Sequence, residues 1–246
     1  MLRLRPLLIL LIGLCLCAQS HAEVLRLAVA SNFKPALLRL LETFNAEHPD
    51  IEVQISAGAS GQLYAQIRQG APFDVFLSAD AYYPTLLFQQ QLAQTPQAYA
   101  HGKLVLISHQ SADNWQSALA AAERVALANP DFAPYGNATQ RLLMAHDYWP
   151  LNARLITGNN VAQVQHWFTQ HHVDVAFTAA SLQNDGAKYT QFDLTPLLAT
   201  PIEQKLVILT RTEIPQAANT LVQYLRQHRT QAQLATLGYV PLTPGL

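Results

Sequence analysis

The chain has 246 residues, half of them apolar and only 13% charged, with a net charge of −1. That balance excludes a nucleic-acid partner, which would call for a basic excess, and supplies no bulk field to draw anions, so any anion site has to be built locally. Both cysteines, Cys15 and Cys17, lie in the first 22 residues, so a chain beginning at Glu23 carries no disulfide and relies on its core.

Arg3 and Arg5, the apolar run at 7–16 and the Ser20-His21-Ala22 triplet read as a secretory leader cleaved after Ala22. The run is too short to span a membrane comfortably. Neither cysteine follows the small residue that a lipoprotein signal wants, so no lipid anchor is expected. Residues 23–246 suit two domains of about 100 residues each, or one large one. Strands are expected at 24–30, 51–55, 74–77, 103–108, 125–128, 154–156, 173–177 and 206–209. Helices are expected at 35–47, 62–69, 83–91, 115–122, 137–146, 161–170 and 215–229. Residues 184–189 and 195–201 read as loops. The helix at 35–47 shows the pattern most plainly, with Leu37, Leu38, Leu40, Leu41 and Phe44 on one stripe and Glu42 and Glu47 outside it. Strand and helix alternate almost throughout, which implies an α/β fold with parallel sheets flanked by helices. With no flexible linker at mid-sequence, the chain is expected to cross between domains near His101 and near Gln204.

In open parallel sheets, ligands bind beyond the carboxyl ends of strands. Four such ends are rich in donors and free of charge: Ser31-Asn32-Phe33, Gly58-Ala59-Ser60-Gly61, Pro134-Tyr135-Gly136-Asn137 and Gly158-Asn159-Asn160-Val161. The first two fall in the early domain and the last two in the later one. Ser31, Asn32 and Asn160 are also ordinary helix caps, Ser60 sits in what could be a plain tight turn, and Tyr135 could be a surface turn aromatic. Their joint pattern points to an anion held by neutral donors at helix N-termini, in the cleft between two domains.

These residues bring a family into view. AVASNF at 28–33, GASGQLYAQIRQGAPFDVFLSAD at 58–80, APYG at 133–136, NNV at 159–161 and LATLGYVPL at 234–242 resemble the periplasmic molybdate-binding proteins of ABC importers, the ModA family, over nearly the whole chain after the leader. The resemblance implies a two-lobed periplasmic-binding-protein fold of type II. Lobe I would comprise 23–102 plus 206–246 and lobe II 103–205, closing on a tetrahedral oxyanion. It implies a monomer that captures molybdate, and tungstate with it, and delivers it to a membrane permease. No cofactor is implied, and molybdenum is bound only as its oxyanion, with no direct metal ligand.

By position, the resemblance assigns Ser31 a role through hydroxyl and main chain, and Ser60 a role as the serine of the next junction. Tyr135 and Val161 would donate main-chain amides, with Asn32 and Gly61 adjacent. Some members place a tyrosine hydroxyl on the ligand just after the last strand of lobe II, where this chain has Thr178. Either Thr178 or the Tyr135 hydroxyl is then the expected substitute.

Two other readings stand beside this one. A different oxyanion or a small organic acid would use the same cleft, although carboxylate ligands usually recruit an arginine and none sits at the four junctions. A secreted serine hydrolase is suggested by Ser60, but Gln62 stands where a nucleophile elbow needs glycine, and no enzyme is expected. His166, His171 and His172 read as solvated surface residues, with a metal site as the alternative.

Overall fold

The computed structural model describes residues 23–242 except 152, 153, 184, 185 and 187. The leader expected at 1–22, and part of the loop expected at 184–189, lie outside the described residues. In chain order the elements are β1 (Glu23–Ala30), α1 (Lys34–Glu47), β2 (Ile51–Gly58), α2 (Ser60–Arg68), β3 (Val75–Leu77), α3 (Tyr82–Gln89), β4 (Gln97–Gly102), β5 (Leu104–Ser108), α4 (Trp115–Ala120), β6 (Arg124–Ala128), α5 (Pro134–Ala145), β7 (Arg154–Gly158), α6 (Val161–Thr169), β8 (Val175–Ala179), β9 (Thr190–Asp193), β10 (Ile202–Ile208), α7 (Pro215–Arg226), α8 (His228–Thr236) and β11 (Tyr239–Val240).

The strands form two sheets, β11-β4-β10-β3-β1-β2 and β7-β6-β8-β5-β9. Both are mixed rather than parallel throughout. Each has a parallel nucleus, β2-β1-β3 in the first and β7-β6-β8 in the second. β5 and β10, the first strands after the chain passes from one sheet to the other, run antiparallel to β8 and β3. A strand arriving from the other lobe meets the nucleus from the opposite end, which alternation of helix and strand does not reveal.

Other departures are local. β4, β9 and β11 go beyond the strands expected from sequence. β4 (QAYAHG) holds a single aromatic and no β-branched residue, and its place comes from pairing with β10 and β11. The long terminal helix is two helices, broken at Gln227, whose ψ of 145° is extended.

The two parallel nuclei share one construction. In the first, Asp74 enters β3; its main-chain N–H donates to the Arg26 carbonyl and its carboxylate accepts from the Arg26 N–H at 2.8 Å. In the second, Asp174 precedes β8 and does the same with Arg124, at 3.0 and 2.8 Å. Each aspartate fixes the register of its strand against the central one. The first sheet buries Leu25, Leu27, Val29, Leu37, Phe44 and Leu221 in one core and Leu63, Phe76 and Leu87 in another on its opposite face. The second buries Leu106, Leu127, Val164 and Phe177. Every element of the site below therefore starts from a strand end anchored in a packed layer. Among the described residues, no helix is long and apolar enough to cross a membrane.

Candidate functional site

The central strand of each sheet ends beside its parallel neighbour in the same way. In the first sheet Ala30 pairs with Gly58, and the next residue, Ser31, donates its N–H to the Gly58 carbonyl at 2.9 Å. In the second, Ala128 pairs with Gly158, and Asn129 donates to the Gly158 carbonyl at 2.8 Å. From each neighbour a helix departs at once: α2 after the extended residue Ala59, and α6 after Asn160, whose side chain caps it by accepting from the Gln163 N–H at 3.0 Å. α5 begins with Pro134, which suits a first helical position because it has no N–H to leave unsatisfied.

These ends meet in one small cavity, about 200 Å³ in empty volume, lined by Ser31, Asn32, Ser60, Tyr135, Asn160 and Val161 together with alanines, Gly58 and Pro134. No charged residue lines it. The first N–H groups of a helix have no partner within the helix. Accordingly, the N–H groups of Ser60, Tyr135 and Val161, and that of Asn32 in the turn before α1, have no hydrogen-bond partner among the described residues. The Ser31 hydroxyl is also unpaired there. The Ser60 hydroxyl accepts from the Ala79 N–H at 3.0 Å, which occupies a lone pair and leaves its hydrogen to donate. The cavity therefore presents two hydroxyls and four amides, all able to donate. A larger groove of about 1340 Å³ by the same measure shares Ala79, Ala133 and Pro134 with it, but it is lined by the charged residues Asp80, Arg141 and Glu203.

Four positions differ from what the sequence suggested. The Ser31 amide is occupied by Gly58, so only its hydroxyl is free to donate. Gly61 does not line the cavity; its N–H crosses between the lobes to the Phe132 carbonyl at 2.9 Å. The Tyr135 hydroxyl turns away from the cavity and accepts from the Gln204 amide at 3.3 Å. Thr178 is fully buried and does not line the cavity, because β8 continues through Ala179 and holds Thr178 in the ladder opposite Val105. Ala79 is the contributor that sequence reasoning missed, since a residue acting through its amide leaves no mark in a side-chain pattern.

Behind the cavity lies a buried polar cluster. The Asn32 side-chain amide donates to Gln204 and to the Tyr239 hydroxyl, and the Tyr99 hydroxyl donates to Gln204 at 2.8 Å. Burial holds the Tyr99, Tyr135 and Tyr239 phenols well above the usual tyrosine range, so they remain neutral donors and acceptors. Burial also pushes the Asp80 carboxyl up to about 6, against the opposing hydrogen bond from Ser78. Of the histidines singled out in the sequence, His171 stacks on His109, which lies flat on Phe168 with ring centroids 3.8 Å apart.

The bacterial extracellular solute-binding protein model matches residues 25–240. The chain is 32% identical to the molybdate-binding protein ModA of Azotobacter vinelandii over 92% of this chain and 93% of that one. It is 33% identical to that of Rhodobacter capsulatus over 94% and 93%. Among solved structures, the periplasmic molybdate-binding protein of Azotobacter vinelandii superposes with a TM-score of 0.81, at 31% identity over 89% of this chain and 100% of that one. A sulfate-binding protein of Mycobacterium tuberculosis, at 14% identity and TM-score 0.77 over 90% of this chain and 88% of that one, shares the fold.

Proposed function

This chain belongs to the bacterial extracellular solute-binding protein family, among its ModA molybdate-binding members, and on that footing we propose that it captures molybdate in the periplasm and hands it to the permease of an ABC importer. The observation that carries the reading is the chemistry of the cavity: unpaired amides and hydroxyls from both lobes, with no charged side chain. Molybdate is a fully deprotonated dianion near neutral pH and offers no proton, so a pocket of donors satisfies every oxygen. Hydrogen phosphate carries a proton that needs an acceptor and would find none. The dianion's charge is met by helix N-termini and oriented amides rather than by lysine or arginine.

Sulfate has the right charge but is smaller, and in a cavity fixed by strand ends it forfeits contacts. Each buried donor left unpaired costs about 1–3 kcal/mol, so losing two amounts to a hundredfold or more in affinity. Tungstate matches molybdate in shape and charge and binds with it. The protein acts as a monomer without a cofactor, and its role is transport rather than catalysis.

Calorimetric titration of the purified protein tests the reading. Tight 1:1 binding of molybdate and tungstate, with sulfate at least a hundredfold weaker and phosphate weaker still, is expected. No heat with any tetrahedral oxyanion would overturn it.

A further inference from the structure

Gln204 lies on β10, three residues past the return from the second sheet, where the ladder between β4 and β10 slips by one residue at Gln204/Lys205. Such a bulge re-aims a side chain. The Gln204 side chain is completely buried, and each end of its amide serves a different lobe. Its carbonyl oxygen accepts from Tyr99 at 2.8 Å and from the Asn32 side chain at 3.3 Å, both in the first lobe. Its NH2 donates to the Tyr135 hydroxyl at 3.3 Å, in the second. Space for this pair exists because residue 102 is glycine. A Cβ there would stand 2.2 Å from the Tyr135 hydroxyl and 2.7 Å from the Gln204 nitrogen.

Asn32 and Tyr135 are the same residues whose main-chain amides line the anion cavity from opposite lobes. Asn32–Gln204–Tyr135 is therefore a side-chain path that joins those two residues across the lobes without passing through an anion. Resting on the oxyanion reading above, we propose that Gln204 is a positioning residue: it fixes the donors of the second lobe against those of the first, and so sets how long the closed site holds its anion. Opening the lobes breaks the Gln204–Tyr135 bond and leaves both groups to find water. The bond therefore belongs to the closed state and raises the barrier to release without touching the ligand.

The test uses the chain with Cys15→Ser and Cys17→Ser and spin labels on Gln66→Cys and Ala120→Cys, one on each lobe, in backgrounds carrying Gln204→Leu, Tyr135→Phe or both. Molybdate dissociation is expected to quicken at least tenfold in each single variant, with association within threefold of the parent. The double variant should be no faster than the faster single one, because both changes remove the same link. With molybdate bound, the interlobe distance should broaden in the variants and stay narrow in the parent. A merely structural role would lower the melting temperature and leave that distance unmoved. Superimposable distances, or dissociation effects that multiply in the double variant, would overturn the proposal. If the parent fails to bind molybdate, the oxyanion reading falls by itself. The distance distributions of the parent and of Tyr135→Phe, which removes one hydroxyl and keeps the fold, still decide whether the link holds the lobes.

Discussion

Ser60 shows how a neutral side chain becomes a directed donor. It is fully buried at the first position of α2, and the Ala79 N–H occupies one of its lone pairs. The hydroxyl hydrogen has no acceptor of its own among the described residues and is left free to donate into the cavity. Ser60→Ala removes that donor and leaves the Ala79 amide unpaired. Molybdate affinity is expected to fall by about 1–3 kcal/mol by calorimetry, the range for a hydrogen bond to a charged group. An unchanged affinity would place the anion elsewhere. Ser31 has only its hydroxyl free to donate, because the amide beside it is spent on holding β1 to β2.

At the level of elements, the two aspartates ahead of β3 and β8 do equal geometric work in unequal surroundings. Asp74 is 8% exposed and also accepts from the Thr212 hydroxyl at 2.8 Å. Asp174 is more open and pairs with Arg124 at 2.8 Å, a hydrogen bond that holds its carboxyl below the usual range. Asp74→Ala strands a buried N–H and should cost about 2–4 kcal/mol in urea unfolding. Asp174→Ala, with water at hand to replace the lost partner, should cost about 1 kcal/mol. Equal costs would mean that register, rather than burial, sets the value of these residues.

Much of this layer was legible in the sequence. The strand end at Ala30 and the cap at Asn160 follow from hydrophobic runs and capping preference, whereas β2 runs three residues beyond the expected end at Ile55 and α5 starts at Pro134, three residues before the expected start at Asn137. What escaped was decided by tertiary pairing. β11 is two residues long and exists because β4 lies beside it. β8 runs past Phe177 because β5 continues opposite it, and that extension takes Thr178 out of contention as a ligand. Tyr135 lines the cavity, as its position suggested, yet the direction of its hydroxyl depends on Gly102 and Gln204, which are far away in sequence.

At the level of the whole molecule, the lobes touch at Gly61. Its N–H reaches the Phe132 carbonyl, and a Cβ on it would lie 2.4 Å from the Tyr83 hydroxyl and 2.7 Å from the Phe132 Cβ. The Tyr83 hydroxyl itself reaches across to the Asp131 carbonyl at 3.4 Å. Gly61→Ala therefore wedges the interface without altering any donor in the cavity. Affinity is expected to drop at least tenfold, with a larger radius of gyration in solution scattering when molybdate is present. Unchanged scattering and affinity would mean that the contact yields by local adjustment of Tyr83.

The donors are also divided unequally between the lobes. Ser31, Asn32 and Ser60 bring both hydroxyls and two of the amides from the first lobe, whereas the second brings the amides of Tyr135 and Val161. An arriving anion thus finds most of its landing place on one side, already formed while the jaws are apart, and the other side serves as a lid. Uptake becomes ordered: settle first, then cover.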